Sequence, residues 1–241
     1  MRFWHRNLYL VSVLSFFIPF WPVLYLLGKD SFKNYSYLVR LRRIIASVSS
    51  AVVGIKYKIK YEKEVDWSKN YVICANHTSN LDITAIMKAC PIDFSFIGKA
   101  ELLENPVTGF FFRTIDIPVN RSSKVSSFRA FKRAKEYLQL GKSIAIFPEG
   151  GIADSYPPSL QPFKNGGFKL AFDLNIPILP VIIENAWELY WDDAKLYGSK
   201  AGNVNIKVLE PLFPSQYNKS ADNLRDVTFD LFKKHLDRQK P

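Results

Sequence analysis

From about residue 55 onward, short apolar runs alternate with amphipathic segments. Compact apolar runs bounded by polar or turn residues are typical of buried strands, whereas apolar positions three or four residues apart indicate helices. These patterns predict strands at 56–63, 71–75, 94–98, 115–119, 143–147, 176–183 and 203–211. They predict helices at 80–90, 125–142, 166–175 and 220–239, and a helical turn that begins in 105–114. The alternation predicts an α/β fold with a central mixed, partly parallel sheet flanked by helices.

The N-terminal pattern is different, because residues 8–28 contain no charged residue. As a helix this run spans about 30 Å, the thickness of a bilayer core. It could be a cleaved signal peptide, although no small-x-small cleavage site follows it. It could be a single transmembrane helix, kinked by Pro19 and Pro22. The third alternative is a helix that enters one leaflet, bends and returns.

A second apolar stretch, residues 44–55, favours the third alternative because it is too short to span a bilayer. It is flanked by Arg40, Arg42, Arg43, Lys56 and Lys58. Such a stretch suits a helix at the level of the lipid headgroups, with its cations on lipid phosphates, although an ordinary buried helix fits as well. We therefore predict an N-terminal membrane-docking helical module at 1–55, followed by the α/β domain at 56–241.

Charge and composition narrow the choice of partners. The chain has 33 Lys and Arg against 22 Asp and Glu, a net charge of +11, and 15% aromatic residues. This excess favours anionic partners. Many aromatic residues lie with basic residues near the N-terminus, which favours a membrane lipid surface, and the chain lacks a nucleic-acid reader motif. We therefore expect no nucleic acid partner. Cys74 and Cys90 lie in apolar surroundings without a CxxC pattern, so we expect buried thiols in a reducing compartment. We also expect no metal site.

Polar residues follow four of the predicted strands at the point where each strand ends. His77 follows 71–75, Lys99 follows 94–98, Arg121 follows 115–119, and Glu149 and Gly150 follow 143–147. The carboxyl ends of parallel strands share one edge of a sheet, where sites form in α/β folds. If these strands are parallel, the side chains converge on one edge.

His77 and Asp82 lie five positions apart, at the predicted start of a helix. A carboxylate on one imidazole nitrogen fixes the tautomer and raises the basicity of the other nitrogen, which can then take a proton from an alcohol. No serine or cysteine is clearly placed as a nucleophile, although Ser79 is near. On spacing alone, the pattern favours a histidine that caps a helix beside a surface aspartate.

Five segments in order resemble the glycerolipid acyltransferase family, which includes the 1-acylglycerol-3-phosphate acyltransferases. NHTSNLD resembles the NHxxxxD signature of that family, and FPEGG resembles its FPEGT segment. GKAEL, IDIPVNR and IPILPV resemble three further segments, so the resemblance covers about residues 65–185. The five segments lie at 76–82, 98–102, 115–121, 147–151 and 176–181.

The resemblance implies roles for the residues at the strand ends. His77 is expected to be the general base and Asp82 its partner. The acyl donor is expected to be a thioester of coenzyme A or acyl carrier protein, with no resident cofactor. The acceptor is expected to be a lysophospholipid, most simply 1-acyl-sn-glycerol-3-phosphate, giving phosphatidic acid in phospholipid synthesis. The expected substrate-binding residues are Asn76, Lys99, Arg121, Glu149, Gly150 and Lys164. The expected location is a membrane, on the cytoplasmic face of the bacterial inner membrane.

The chain departs from the family pattern at three places. Ile115 replaces a glycine, Asn120 replaces an aspartate, and the segment 151–152, Gly-Ile, replaces Thr-Arg after FPEG. The arginine credited with holding phosphate is therefore absent, and Lys164 is a candidate replacement. The acceptor headgroup stays open, and a lyso-aminolipid or lysophosphatidylglycerol is an alternative. Two other classes are a non-catalytic, basic membrane-binding protein and a hydrolase that uses His77 to activate water.

Overall fold

The computed structural model describes residues 2–191, 198–217 and 220–237. The strands are β1 Ile55–Tyr61, β2 Val72–Ala75, β3 Phe94–Lys99, β4 Ile117–Val119, β5 Ser143–Ile146, β6 Ile178–Ile183 and β7 Gly202–Val208. The helices are α1 Arg2–Gly28, α2 Tyr35–Val52, α3 Leu81–Ala89, α4 Pro106–Thr114, α5 Lys124–Gln139, α6 Gly166–Leu174, α7 Ala186–Leu189 and α8 Ala221–Asp237. Short 3-10 turns lie at Ala100–Leu103 and Pro214–Gln216. Every strand and helix predicted after residue 55 is present among the described residues, with ends that differ by a few residues; the predicted helix end at 238–239 lies outside them.

The seven strands form one sheet in the order β1-β7-β6-β2-β5-β3-β4. The strands from β6 to β4 in this order are mutually parallel, β7 is antiparallel to β6, and β1 is parallel to β7. The predicted mixed, partly parallel sheet flanked by helices is therefore confirmed. The carboxyl ends of β2, β3, β4 and β5 share one edge, as the site prediction required.

Burial explains which apolar runs became central strands. Every residue of β2, β5 and β6 is buried. Continuous apolar runs suit strands with helices on both faces. By contrast, β1 alternates, with Ile55 buried and Lys56, Lys58 and Lys60 exposed, as expected for an edge strand whose charges discourage pairing with another chain.

Local capping fixes two helices that border the site. The side chain of Asn105 accepts hydrogen bonds from the backbone N–H groups of Val107 and Thr108 at 2.9 and 3.1 Å, and Pro106 occupies the first turn of α4. Both features satisfy backbone groups that a helix start leaves unpaired. Ser123 caps α5 in the same way, through a 3.2 Å bond from the N–H of Ser126.

The N-terminal segments form a helical hairpin. α1 continues through Pro19 and Pro22, and the chain reverses between α1 and α2. The Oγ of Ser12 donates to the carbonyl of Ser49 at 3.1 Å, which places the two helices side by side and antiparallel. The part of α1 from Trp4 to Gly28 is long and apolar enough to cross a membrane by length and composition. Whether it spans or lies in one leaflet stays a prediction.

Two of the three arginines of α2 do not lie where the sequence suggested, whereas Arg40 is exposed. Arg42 is 5% exposed and donates to both carboxylate oxygens of Asp116 at 2.6 and 2.8 Å. Arg43 donates to the carbonyls of Met87, Cys90 and Ile92 at 3.0, 3.0 and 2.6 Å. A buried guanidinium requires a carboxylate or carbonyl partner, and the protein supplies these partners itself. The prediction that Arg42 and Arg43 lie on lipid phosphates is therefore wrong.

The hairpin also contributes to the core of the sheet domain. Leu24 of α1 and Leu38 of α2 are fully buried and belong to the same apolar cluster as Val72 of β2. On the outer side of α2, Ile44 and Val52 are exposed. α2 therefore buries one face and exposes another. The division of the chain at residue 55 stays a prediction.

Candidate active site

The imidazole of His77 lies immediately beyond the carboxyl end of β2. Its Nδ1 is 3.0 Å from Oδ2 of Asp82, and its ring stacks on Phe147 at 3.9 Å between centroids. The side chain of His77 is 16% exposed and that of Asp82 is fully buried. Because the carboxylate accepts from Nδ1, the neutral imidazole carries its lone pair on Nε2. In the described part of the chain, no hydrogen bond to Nε2 is formed.

The turn between β2 and α3 holds Asp82 in place. Its Oδ2 also accepts from the backbone N–H groups of Thr78 and Ser79 at 2.6 and 2.8 Å. Ser79 is 1% exposed, and its Oγ donates to the carbonyl of Tyr190 at 2.7 Å. Ser79 therefore supports the turn and is not placed as a nucleophile.

Glu149 lies beneath His77, beyond the end of β5. Its Oε1 accepts from the backbone N–H of His77 at 2.7 Å, and its Oε2 accepts from the N–H of Gln161 at 2.8 Å. Burial raises the pKa of Glu149 to about 7, against the opposing effect of these two hydrogen bonds. The sequence placed Glu149 in the acceptor site, and the structure shows that it also anchors the backbone at His77.

Three cationic side chains surround the turn after β5. A Cβ built on Gly150 would lie 2.7 Å from Nζ of Lys164 and 2.9 Å from a terminal nitrogen of Arg121. The same atom on Gly151 would lie 3.6 Å from Nζ of Lys99. Arg121 donates to the carbonyl of Gly150. The structure therefore brings together the predicted residues Lys99, Arg121, Gly150 and Lys164.

Electrostatics indicates that this cluster suits an anion. Partial burial lowers the pKa of Lys164, and the neighbouring charges of Arg121 and Lys99 lower it further. Mutual repulsion of this kind is relieved by a bound anion. Gly150 has φ +90°, where a side chain is strained, so glycine keeps this backbone close to the cations.

A cavity of about 210 Å³ lies beside the cations, lined by Lys99, Glu101, Val119, Asn120, Arg121 and Ser122. The side chain of Asn120 accepts from the N–H and Oγ of Ser122 at 3.0 and 2.7 Å, so the residue that replaces the family aspartate shapes the turn after β4. Ile115, which replaces the family glycine, is fully buried. A second cavity, of about 330 Å³, is lined by residues including Tyr35 and Lys142 and contains no predicted site residue.

Asn76 requires a correction. Its side chain is fully buried, where it donates to the carbonyl of Ile183 and accepts from the N–H of Ile183, both at 2.8 Å. Asn76 therefore joins the ends of β2 and β6. In place of the expected substrate contact, the geometry gives it a positioning role next to His77.

Sequence reasoning gave no role to Phe147 and Gln161. Phe147 supports the imidazole face, and Gln161 fixes the second oxygen of Glu149. The position of Phe147 in the FPEGG segment was the one sequence feature that could have indicated a role in the site. No local pattern indicated Gln161. Among the residues that the structure describes, no group of three or more His, Cys, Asp or Glu is placed to hold a metal ion. The absence of a metal from the reaction stays a prediction.

The chain is similar to known proteins in sequence and in fold. A family model described as Acyltransferase matches residues 55–184. An uncharacterized acyltransferase of Schizosaccharomyces pombe is 31% identical over 182 residues, which are 75% of this chain and 64% of that protein. The 1-acyl-sn-glycerol-3-phosphate acyltransferase of Saccharomyces cerevisiae is 27% identical over 199 residues, 79% of this chain and 64% of that protein. The chain thus spans 64% of the length of each of these relatives, slightly less than two thirds.

A solved structure shares the fold. The 1-acyl-sn-glycerophosphate (LPA) acyltransferase PlsC from Thermotoga maritima matches with a TM-score of 0.74 at 21% identity, and the match covers 96% of this chain and 97% of that one. At this identity the match supports the same arrangement of helices and sheet, including the N-terminal hairpin.

Proposed function

The chain belongs to the acyltransferase family, and from this premise we propose that it acylates a lysophospholipid. In this proposal it transfers a fatty acyl group from an acyl thioester to the free hydroxyl of 1-acyl-sn-glycerol-3-phosphate, giving phosphatidic acid. The observation that carries the proposal is the pairing of His77, whose Nε2 forms no hydrogen bond among the described residues, with three cations on the same edge of the sheet. Several relatives, including those from yeast, mouse and human, are named for this reaction.

The His77–Asp82 pair can activate the acceptor directly. Nε2 of His77 takes the proton of the hydroxyl as its oxygen attacks the thioester carbonyl. The new C–O bond forms, the C–S bond breaks, and the proton on Nε2 passes to the departing sulfur to give a free thiol. Asp82 stabilises the transient imidazolium through the 3.0 Å contact at Nδ1. No covalent intermediate on the protein is required.

The cation cluster is proposed to hold the acceptor phosphate. Lys99, Arg121 and Lys164 provide N–H donors around Gly150, and such groups favour phosphate oxygens. Lys164 thereby takes the place of the arginine that the family carries after FPEG. Both proposed donors, coenzyme A and acyl carrier protein thioesters, are anionic too, so the basic surface favours their approach.

Membrane association is proposed for the N-terminal hairpin. The outer side of α1 exposes apolar residues that include Leu8 at 52%, Ile18 at 62% and Leu26 at 62%. Apolar surface of this extent marks a membrane or protein contact. A membrane lipid surface fits because the acceptor is itself a membrane lipid. The location implied by the family resemblance is the cytoplasmic face of a bacterial inner membrane.

The proposal is tested with purified protein, acyl-CoA and a panel of lysolipids in mixed micelles. We expect transfer to 1-acylglycerol-3-phosphate to exceed transfer to lysophosphatidylglycerol and lysophosphatidylethanolamine by at least about tenfold. His77→Ala should lower the rate of acyl transfer by a factor of about 10²–10⁴. His235→Ala, on α8, is the matched control. Near-wild-type transfer by His77→Ala contradicts the mechanism, and release of free fatty acid without any acceptor favours a hydrolase.

The headgroup assignment has a separate test. Lys164→Met should raise the KM for 1-acylglycerol-3-phosphate by about tenfold, because one charge-assisted contact is lost. Lys169→Met, an exposed lysine on α6, is the control. If Lys164→Met leaves the preference among lysolipids and the KM unchanged, the phosphate does not lie on this cluster.

A further inference from the structure

The loop 151–160 follows a path that the sequence did not reveal. It leaves Gly150 beyond β5 and reaches the region after β6, where the ring of Tyr156 lies 5.3 Å from Trp187 and 5.2 Å from Trp191. Both contacts are edge-to-face, at 81° and 82°. The chain then returns to Gln161, which is bonded to Glu149. We call residues 151–160 the strap and the three rings the latch.

The sheet order places the catalytic histidine beneath this path. β2 lies between β5 and β6, and His77 follows the end of β2. Neighbouring strands are about 4.8 Å apart, so a segment from the end of β5 to the residues that follow β6 passes the carboxyl end of β2. The side chain of His77 is only 16% exposed although Nε2 has no hydrogen bond within the described residues. The strap is therefore placed to pass beside the reactive nitrogen, on a ring whose one face already stacks on Phe147 at 3.9 Å between centroids.

Both ends of the strap are fixed to the site. At one end Arg121 donates to the carbonyl of Gly150, and at the other Glu149 accepts from the N–H of Gln161 at 2.8 Å. The same Glu149 carboxylate accepts from His77. Because the ends are held, the ring contacts of Tyr156 in the latch support the middle of the strap.

The composition of the strap suits a roof over an acyl thioester. Its half-buried residues Ile152, Ala153 and Pro158 are apolar, whereas Leu160 packs against the apolar core. The cations lie on the other side of His77, toward β3 and β4. This separation gives the edge a charged end for a headgroup and an apolar end for a thioester and its chain.

We propose that the strap, held by Tyr156, excludes water from the thioester at His77 and so determines that an alcohol rather than water is the acceptor. The inference rests on the proposed function. In transfer, the lysolipid oxygen forms the new ester bond, the C–S bond breaks, and the hydroxyl proton passes through His77 to the thiol. In hydrolysis, water replaces the hydroxyl, and the products are a free fatty acid and the same thiol. Exclusion of water by closing loops is a known means of suppressing such side reactions.

The test measures free fatty acid and acylated lysolipid from one acyl-CoA, using full-length wild type and variants. Tyr156→Ala should raise the ratio of hydrolysis to transfer by about tenfold, which corresponds to about 1.4 kcal/mol between the two barriers. Tyr156→Phe keeps the ring contacts and should retain a ratio within about twofold of wild type. Tyr37→Ala, which removes a 61% exposed ring on α2, is the matched control.

Trp187→Ala provides a second variant that leaves the strap sequence intact and removes one side of the latch. We expect it to raise the same ratio, so the proposal is testable even if Tyr156→Ala fails to fold. A wild-type ratio in folded Tyr156→Ala or in Trp187→Ala overturns the proposal. An equal fall of transfer and hydrolysis also overturns it, because that result indicates only structural support. A wild-type protein that acylates no lysolipid refutes the proposed function instead.

Discussion

Replacing Glu149 with glutamine should change how the stability of the protein depends on pH. Glu149 is 8% exposed, and burial disfavours its charged form, so its pKa rises from the ordinary 4.5 to about 7. Glutamine has the same shape but does not ionise. The variant therefore keeps a neutral side chain here at every pH.

The magnitude follows from the linkage between protonation and folding. One pKa unit corresponds to 1.36 kcal/mol, so a rise from 4.5 to about 7 corresponds to about 3 kcal/mol. Between these two pKa values the folded protein binds more protons at Glu149 than the unfolded chain does. The free energy of unfolding therefore falls as the pH rises through this window, and the loss is nearly complete above the folded pKa of about 7. Glu149→Gln has no such loss. The free energy of unfolding of the variant, relative to that of wild type, should therefore rise by about 3 kcal/mol between about pH 4 and pH 8.

The assay is denaturant unfolding in detergent, followed by tryptophan fluorescence at four pH values across this range. Glu104→Gln, which neutralises an exposed carboxylate at the start of α4, is the matched control and should run parallel to wild type. Other titrating groups are common to all three proteins and cancel in the difference. A difference between Glu149→Gln and wild type that stays constant with pH refutes the argument from burial.

Three further changes test single contacts. Arg42→Ala leaves the carboxylate of Asp116 buried without its 2.6 Å partner and should cost about 3–5 kcal/mol in denaturant unfolding, whereas a loss below about 1 kcal/mol contradicts the buried pair. Asn76→Ala removes both hydrogen bonds to Ile183 and should cost about 1–3 kcal/mol of stability without raising the KM for the acceptor. A rise in this KM without a loss of stability would instead support the expected contact between Asn76 and the substrate. Asp82→Asn should lower kcat by about 10³–10⁴ with little change in KM, and an unchanged kcat argues against the carboxylate–imidazole pair.

Much of the site could be predicted from the sequence because its parts are local. His77 and Asp82 are five residues apart, and the same turn carries the N–H groups that hold the carboxylate. Apolar runs located β2, β3 and β5, and the helices between them implied parallel strands. Parallel strands in turn placed Lys99 and Glu149 on the edge that carries His77.

The errors arose where a residue's partner is distant in the chain. Arg42 pairs with Asp116, 74 residues away, and cations beside an apolar stretch look the same whether they face lipid or a buried carboxylate. Asn76 was placed correctly beside His77, but its partner Ile183 is 107 residues away. The path of the strap depends on ring contacts between Tyr156 and residues after β6, which no local pattern encodes.

The apolar N-terminal helix is also a structural support of the candidate active site. The ring of Tyr9 in α1 lies edge-on against Tyr190 at 5.3 Å, and the carbonyl of Tyr190 accepts from Oγ of Ser79 at 2.7 Å. The N–H of Ser79 in turn donates to Asp82, the partner of His77. A protein without α1 therefore loses the packing behind this turn as well as an apolar outer surface. A loss of activity on removing α1 would for this reason not measure membrane binding alone, whereas substitutions confined to exposed residues of its outer side, such as Ile18 and Leu26, separate the two effects.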